Sequence, residues 1–213
     1  MLNYNLVEIF HITDIDNLEK IVSCDKLFSK SLLTCNSRDY TNIAYEGIQD
    51  IRLHTMVPFS PYGNLHEYIP FYFCPRSPML YAIHKNYVQQ YNKGEESIIH
   101  IVTSIAKIIE FDRPFVFTDG HAVMKLSDFY ENISELNILD WEVINNNYWA
   151  DTEDDNDRKR RKQAEFLVHE FLPFFAIQKI GVYNNIIEKE VREIIKAHPK
   201  YNLQIEIKPE WYY

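Results

Sequence analysis

Short apolar runs of strand character recur along this chain without the strand–helix–strand rhythm of a parallel sheet. That irregularity limits the fold more than any other feature. Residues 6–13 (LVEIFHIT), 69–73 (IPFYF), 97–104 (SIIHIVTS), 114–120 (PFVFTDG), 164–171 (AEFLVHEF), 178–183 (QKIGVY) and 203–209 (LQIEIKP) all have strand composition or alternation. Helical signals fall unevenly between them. Asp14 or Thr13 is placed to cap a helix over 16–24, and a short helix is expected around Ala106. Residues 78–91 read as helical, as do 127–136, which open on Ser127 as a cap. The segment 184–198 sets Ile187, Val191, Ile194 and Ile195 on one face. Mixed in this way, the elements predict an α+β fold with a largely antiparallel or split sheet. No linker rich in Pro, Gly or Ser divides residues 1–213, so a single domain is expected.

Two segments do not fit this pattern. Residues 30–66 lack clear periodicity and carry Pro58, Pro61 and Gly63, although NIAYEGIQDIRL at 42–53 could hold a short helix. A loop of that length in a compact domain is usually functional. Residues 139–162 contain three consecutive asparagines, then the acidic DTEDDND, then the cations Arg158 to Lys162. This charge reversal predicts an exposed excursion immediately before Glu165.

Several function classes are excluded by what the chain lacks. It has neither GxGxxG nor GxxxxGK[ST], which weighs against a dinucleotide-binding dehydrogenase and a P-loop NTPase. HExxH and GxSxG are also missing. The three cysteines, Cys24, Cys35 and Cys74, are widely spaced and form no CxxC pair, so no metal is expected. A net charge of -9 argues against a protein coated by nucleic acid, but a local basic groove at 158–162 is compatible with it. The N-terminus does not read as a signal peptide, and no run approaches the roughly 18 apolar residues of a membrane span. A cytoplasmic protein with no membrane contact is therefore expected.

The candidate chemistry lies near strand ends. Glu165 opens a strand and would share a face with Leu167, His169 and Phe171, with Glu170 opposite. A carboxylate there can hold a sugar hydroxyl and stabilise an oxocarbenium-like centre, or it can be an ordinary exposed glutamate. His11 and Thr13 share one side of the first strand, and Arg52 lies in the irregular segment. Tyr72, Arg76 and Met79 flank a proline bend where a flat base could stack, and His121 follows the Asp119-Gly120 turn.

Taken in order, these pieces resemble the DarT family of DNA ADP-ribosyltransferase toxins. The resemblance spans nearly the whole chain. It rests on FHITDIDNL, Arg52 ahead of Val57-Pro58, IPFYFCPRSPMLYAIH, FVFTDGHA, LDWEVINNNYW, DRKRRKQAEFLVH and KPEWYY. It implies an ADP-ribosyltransferase fold, a split and mainly antiparallel sheet with surrounding helices, that cleaves NAD as co-substrate. It further implies transfer of ADP-ribose to a base of single-stranded DNA, thymine in the subgroup most similar to this chain. The resemblance assigns catalysis to Glu165 and Arg52, and the seating of NAD to His11, Thr13, Asn17 and Arg52. It puts Tyr72, Arg76, Met79 and His121 near the cofactor or target base. Residues 145–149, including Tyr148 and Trp149, would shape the reading of DNA, and the run beginning Arg158-Lys159 would attract phosphates. The family also implies a macrodomain antitoxin as partner. Transfer to guanine, RNA or protein, and a non-catalytic nucleotide- or DNA-binding module, are the rival readings.

Overall fold

The computed structural model describes residues 3–213. Met1 and Leu2, where the N-terminal stretch without signal-peptide character begins, lie outside them. The strands are β1 (Glu8–Asp14), β2 (Lys26–Phe28), β3 (Tyr68–Tyr72), β4 (Ile98–Ser104), β5 (Phe115–Thr118), β6 (Phe129–Tyr130), β7 (Glu165–His169), β8 (Phe171–Pro173), β9 (Lys179–Val182) and β10 (Gln204–Ile207). Eight of them form one sheet in the order β10-β9-β4-β1-β3-β7-β5-β6, and β2 pairs with β8. All pairings are antiparallel except β9 with β10. The expected mainly antiparallel α+β architecture is thus observed.

The sheet is nearly cut in two at its centre. β1 pairs with β4 along its whole length, and β3 does the same with β7, whereas β1 and β3 meet only at Phe10 and Tyr72. Pro70 supplies the physical reason. A residue in an antiparallel strand points its N–H and C=O to the same side, and proline has no N–H to give. The His11 imidazole takes over part of the lost pairing, its Nδ1 lying 2.9 Å from the Pro70 carbonyl. Beyond that contact the two halves diverge.

The helices are α1 (Leu18–Ser23), α2 (Lys30–Cys35), α3 (Glu46–His54), α4 (Pro78–His84), α5 (Ile105–Glu110), α6 (Trp141–Asn145), α7 (Arg158–Arg161) and α8 (Asn185–Lys196). α8 follows its sequence pattern: Asn184 caps it through Ile186 and Ile187 N–H, and Ile187, Val191 and Ile195 are buried. β4 is buried at every residue, as befits a strand between two others with both faces covered.

Several expectations are corrected. α4 stops at His84 instead of running to residue 91, because Asn86 adopts a left-handed φ of 56°. Asn86 N–H bonds to Ile83 O and Tyr87 N–H to Ala82 O, a Schellman ending. Residues 127–136 are not a helix. Phe129 and Tyr130 form an edge strand, where Tyr130 stacks on Phe117 at 5.2 Å, and a 3-10 turn follows at Ile133–Ile138. The cross-strand aromatic pair outweighs the local capping signal. The strand expected through residue 171 breaks at Glu170, an exposed residue with φ 58°, and β8 leaves for the small sheet. The long 30–66 segment folds into α2, α3 and a 3-10 turn closed by an Asn64/Glu67 capping box.

Among the described residues, no helix is long and apolar enough to cross a membrane. Among them also, no group of three or more His, Cys, Asp and Glu side chains could hold a metal ion.

Candidate active site

Glu165 opens β7 directly opposite Tyr72 of β3. Its face of the strand is continued by Leu167, which packs in a local core with Val57, Leu65, Tyr68, Val116 and Ala122. The carboxylate is therefore not an exposed strand-end group: Glu165 is 1% exposed. Its surroundings satisfy it. Oε1 accepts from the Ala122 N–H at 3.0 Å, and Oε2 from Arg52 Nη1 at 2.8 Å. The turn after β5 delivers Ala122. Thr118 Oγ1 donates to the Gly120 carbonyl at 2.6 Å and accepts from the Glu165 N–H at 3.2 Å. Gly120 is required there, because a Cβ would lie 3.0 Å from the Arg160 carbonyl and 2.4 Å from its guanidinium.

Arg52 comes from α3, not from a loop, and is 7% exposed. A guanidinium this dry persists beside a carboxylate because each charge compensates the other. Arg52 Nη2 is buried without a partner, so a donor remains for a ligand. Two further groups register the pair. Burial, and secondarily Glu165, pushes the Tyr72 hydroxyl well above its ordinary range, so it stays protonated. Burial lowers the His121 imidazole, with Glu165 pulling the other way, and the ring is neutral at pH 7.

These groups border a cavity of about 1200 Å³ that opens where the sheet splits. Arg52, Tyr72 and His121 line it, as do His11 and Thr13 from β1 and Met79 from α4. Glu165 lies immediately behind this wall. A single small-molecule pocket is usually roughly 300–1,000 Å³, so the space exceeds the need of one small ligand. On the β1 side, the Pro70 carbonyl can only accept, so His11 Nδ1 carries the proton and Nε2 is an acceptor. Burial lowers the pKa of His11 and keeps it neutral. Thr13 Oγ1 accepts from Asn17 Nδ2 at 2.9 Å and keeps its own proton to donate. The Asn17 amide is otherwise committed to the Thr41 N–H and carbonyl, so it fastens the 39–45 segment to β1.

The segment before Glu165 departs most from expectation. Its two ends are folded in, with Val143, Ile144 and Lys162 buried, while residues 147–148, 150–154 and 156 between them are exposed as expected. The cations of α7 are largely consumed within the protein. Arg160 bonds Asp157 and Asp119 at 2.8 and 3.0 Å. Arg161 pairs with Asp140 and Asp155. Lys162 Nζ holds the carbonyls of Ile144 and Asn146 at 2.6 and 3.0 Å. Arg158 donates to the Tyr148 carbonyl at 2.9 Å, and its side chain is only 16% exposed. Lys159 alone of the five is exposed, and it reaches the cavity wall. The acidic block thus neutralises its neighbours, while Asp119 and the His121 N–H tie α7 to the turn after β5. Tyr148 is exposed, and Trp149 lines the cavity. Arg76 lies outside the cavity wall, its guanidinium 4.4 Å from the centre of the Tyr213 ring.

Sequence reasoning missed Ser29, Lys30 and His66. All three line the cavity, and Ser29 Oγ and His66 Nε2 are buried without partners. Burial first, and then the Lys30 and Arg52 charges, lower the His66 pKa, so a neutral imidazole lies beside two cations. Their only sequence trace was the Asn64/Glu67 capping box, which says nothing about a ligand.

The site is thus an Arg-bound glutamate at the opening of a central strand of a split, mainly antiparallel sheet, with a large cavity in front of it. Residues 10–213 match the family described as ssDNA thymidine ADP-ribosyltransferase, DarT. A DNA ADP-ribosyl transferase of Thermus sp. (strain 2.9) is 42% identical over 206 residues, which are 96% of this chain and 95% of that one. Thermus sp. 2.9 DarT in complex with ADP-ribosylated ssDNA matches with a TM-score of 0.91 at 41% identity, covering 97% of this chain and 96% of its own. Thermus sp. 2.9 DarT in complex with NAD+ gives 0.85 at 39% identity, covering 97% and 98%. The chain belongs to the DarT family and is an NAD-dependent DNA ADP-ribosyltransferase.

Proposed function

We propose that this chain, acting as one domain over residues 1–213, transfers the ADP-ribose of NAD to a thymine of single-stranded DNA. The observation that carries the residue roles is the Arg52–Glu165 pair set directly behind the cavity in the split sheet. NAD binds with its nicotinamide half toward His11 and Thr13, whose acceptor and donor suit ribose and amide groups. Arg52, Lys30, His66 and Ser29 offer positive charge and free donors to the pyrophosphate. Glu165 accepts from the nicotinamide-ribose 2′-hydroxyl and stabilises the oxocarbenium ion as the C1′–N bond breaks. Nicotinamide leaves with the bonding pair, and a thymine nitrogen closes on C1′ as its proton departs. His121, kept neutral by burial, is one acceptor for that proton at the cavity wall. Single-stranded DNA suits this site because an unpaired base escapes the few kcal/mol of unstacking and unpairing that a duplex demands. Tyr72, Met79, Tyr148, Trp149 and Arg76 surround the base and its strand, and aromatic faces among them offer stacking. The enzyme acts in the cytoplasm as the toxin of a pair whose antitoxin carries a macrodomain.

The deciding experiment incubates mass-tagged NAD with homopolymeric and mixed single-stranded oligonucleotides. Thymine-containing strands are expected to gain one ADP-ribose with stoichiometric nicotinamide release. Label on guanine-only strands, on RNA or on protein would replace the thymine assignment. The basic run gives a second expectation. With Lys159 the one exposed cation of the five, log affinity for DNA should fall with log salt at a slope of about −1, since each single-strand phosphate contact contributes roughly −0.7. Fluorescence anisotropy of labelled oligothymidylate measures it. A slope of −3 or steeper would mean that the internal ion pairs open to DNA.

A further inference from the structure

Two of the residues proposed above to meet DNA, Arg76 and Trp149, lie outside any helix or strand. They are far apart in sequence, yet both rest on one side chain. Trp149 Nε1 donates to the Tyr213 hydroxyl at 3.0 Å. The hydroxyl proton is shared between the carbonyls of Arg76 and Ser77, at 3.2 and 3.3 Å. The Arg76 guanidinium lies over the ring of the same tyrosine. Tyr81 packs edge-on against both Tyr213 and Trp149, at 5.0 and 5.5 Å. Tyr213 is itself fixed from behind. Its N–H donates to Glu95 Oε2 at 3.1 Å, and Glu95 Oε1 holds His84 Nδ1 at 2.7 Å. The preceding Tyr212 is buried and donates to the Ile98 carbonyl of β4 at 2.7 Å. Burial pushes the Tyr213 hydroxyl up to about 12, so it remains a proton donor throughout the working range.

We infer that Tyr213 is a positioning residue for DNA: it touches neither NAD nor the reacting atoms, but fixes the Trp149 indole and the Arg76 guanidinium against the sheet as a preformed seat for the strand. This inference rests on the proposed DNA role of Arg76 and Trp149. Apart from Trp149 and Arg76 themselves, the groups that hold Tyr213 come from α4 or the chain flanking α4 and β4, and none of them bonds Glu165 or Arg52. Its loss therefore separates DNA capture from NAD chemistry.

The test compares Tyr213→Phe and Tyr213→Leu with the unmodified chain, varying oligothymidylate at saturating NAD. Tyr213→Phe keeps the ring beneath Arg76 and removes the partner of the indole. KM for DNA should rise roughly fivefold, the weight of one ordinary hydrogen bond. Tyr213→Leu also removes the cation–π contact, and KM should rise roughly thirtyfold. In both variants kcat should stay within about twofold, and NAD affinity by calorimetry should not change. A Trp149→Phe background supplies the internal check. There, Tyr213→Phe should cost less than it does in the unmodified chain, because the indole bond is already gone and only the bonds to the Arg76 and Ser77 carbonyls remain to be lost. If the leucine variant does not fold, the phenylalanine variant and this cycle decide the matter. An unchanged KM in Tyr213→Phe overturns the inference, and so does a loss of kcat and NAD affinity in step with KM. If the unmodified chain labels no DNA, it is the proposed function that fails, and the unmodified control reveals that separately.

Discussion

Glu165→Gln should bind NAD within a few-fold of the unmodified affinity and transfer ADP-ribose about 10²–10³ times more slowly. The substitution is nearly isosteric, and the amide oxygen can still accept from the Ala122 N–H. What it removes is the negative charge. In the ground state the positive charge of NAD resides on the nicotinamide ring and not on the ribose that Glu165 is proposed to face, so binding loses little. As the glycosidic bond stretches, positive charge develops on the ring, and a neutral amide no longer compensates it. The loss therefore falls on kcat. The variant also leaves Arg52 buried without a counter-ion, so its stability should fall by about 3–5 kcal/mol. Assays belong well below its melting point. Quenched time courses on labelled oligothymidylate give kcat, and calorimetry gives NAD affinity. Turnover within tenfold of the unmodified enzyme would remove Glu165 from the chemistry.

The features readable in the sequence were those with a local cause. Seven of the eight strands of the sheet were visible in β-branched and aromatic runs, all but β6, and α8 in its apolar spacing, because period and composition act over a few residues. The Arg52–Glu165 pair was not legible in that way. Arg52 looked like a solvated loop residue, since nothing near it in sequence reveals that α3 lies over Glu165 from 113 positions away. The assignment of both residues came from long ordered motifs and the family they resemble. The basic run shows the opposite failure. Five cations together suggested a phosphate track, but the acids before and beyond them in the fold claim Arg160 and Arg161, and two carbonyls claim Lys162. Charge pairing of that kind depends on how α6 and α7 pack, which composition does not encode. The split in the sheet occupies a middle position. Pro70 was visible within a strand-like run, but its consequence for β1 required knowing which strand faces its missing N–H.

Arg52→Met should melt roughly 10 °C below the unmodified protein, and pairing it with Glu165→Gln should restore most of that loss while leaving transfer abolished. The single substitution strands a carboxylate that is 1% exposed, with only the Ala122 N–H to hold it. Breaking a buried ion pair from one side costs about 3–5 kcal/mol, and for a chain of this size each kcal/mol moves Tm by about 2–4 °C. The double variant carries no charge at either position. The desolvation penalty disappears along with the attraction, the methionine fills much of the arginine volume, and the Ala122 N–H keeps an acceptor in the glutamine amide. Neutral replacements of buried pairs are often no less stable than the pair itself. If Arg52 and Glu165 were simply structural, the recovered fold would bring recovered activity. If they are the machinery proposed here, stability returns and turnover does not, because the free Nη2 donor and the carboxylate have both gone. Thermal melts and oligothymidylate labelling on the three variants read the two quantities independently. Transfer by the double variant at more than a few per cent of the unmodified rate would place the chemistry on other residues of the cavity.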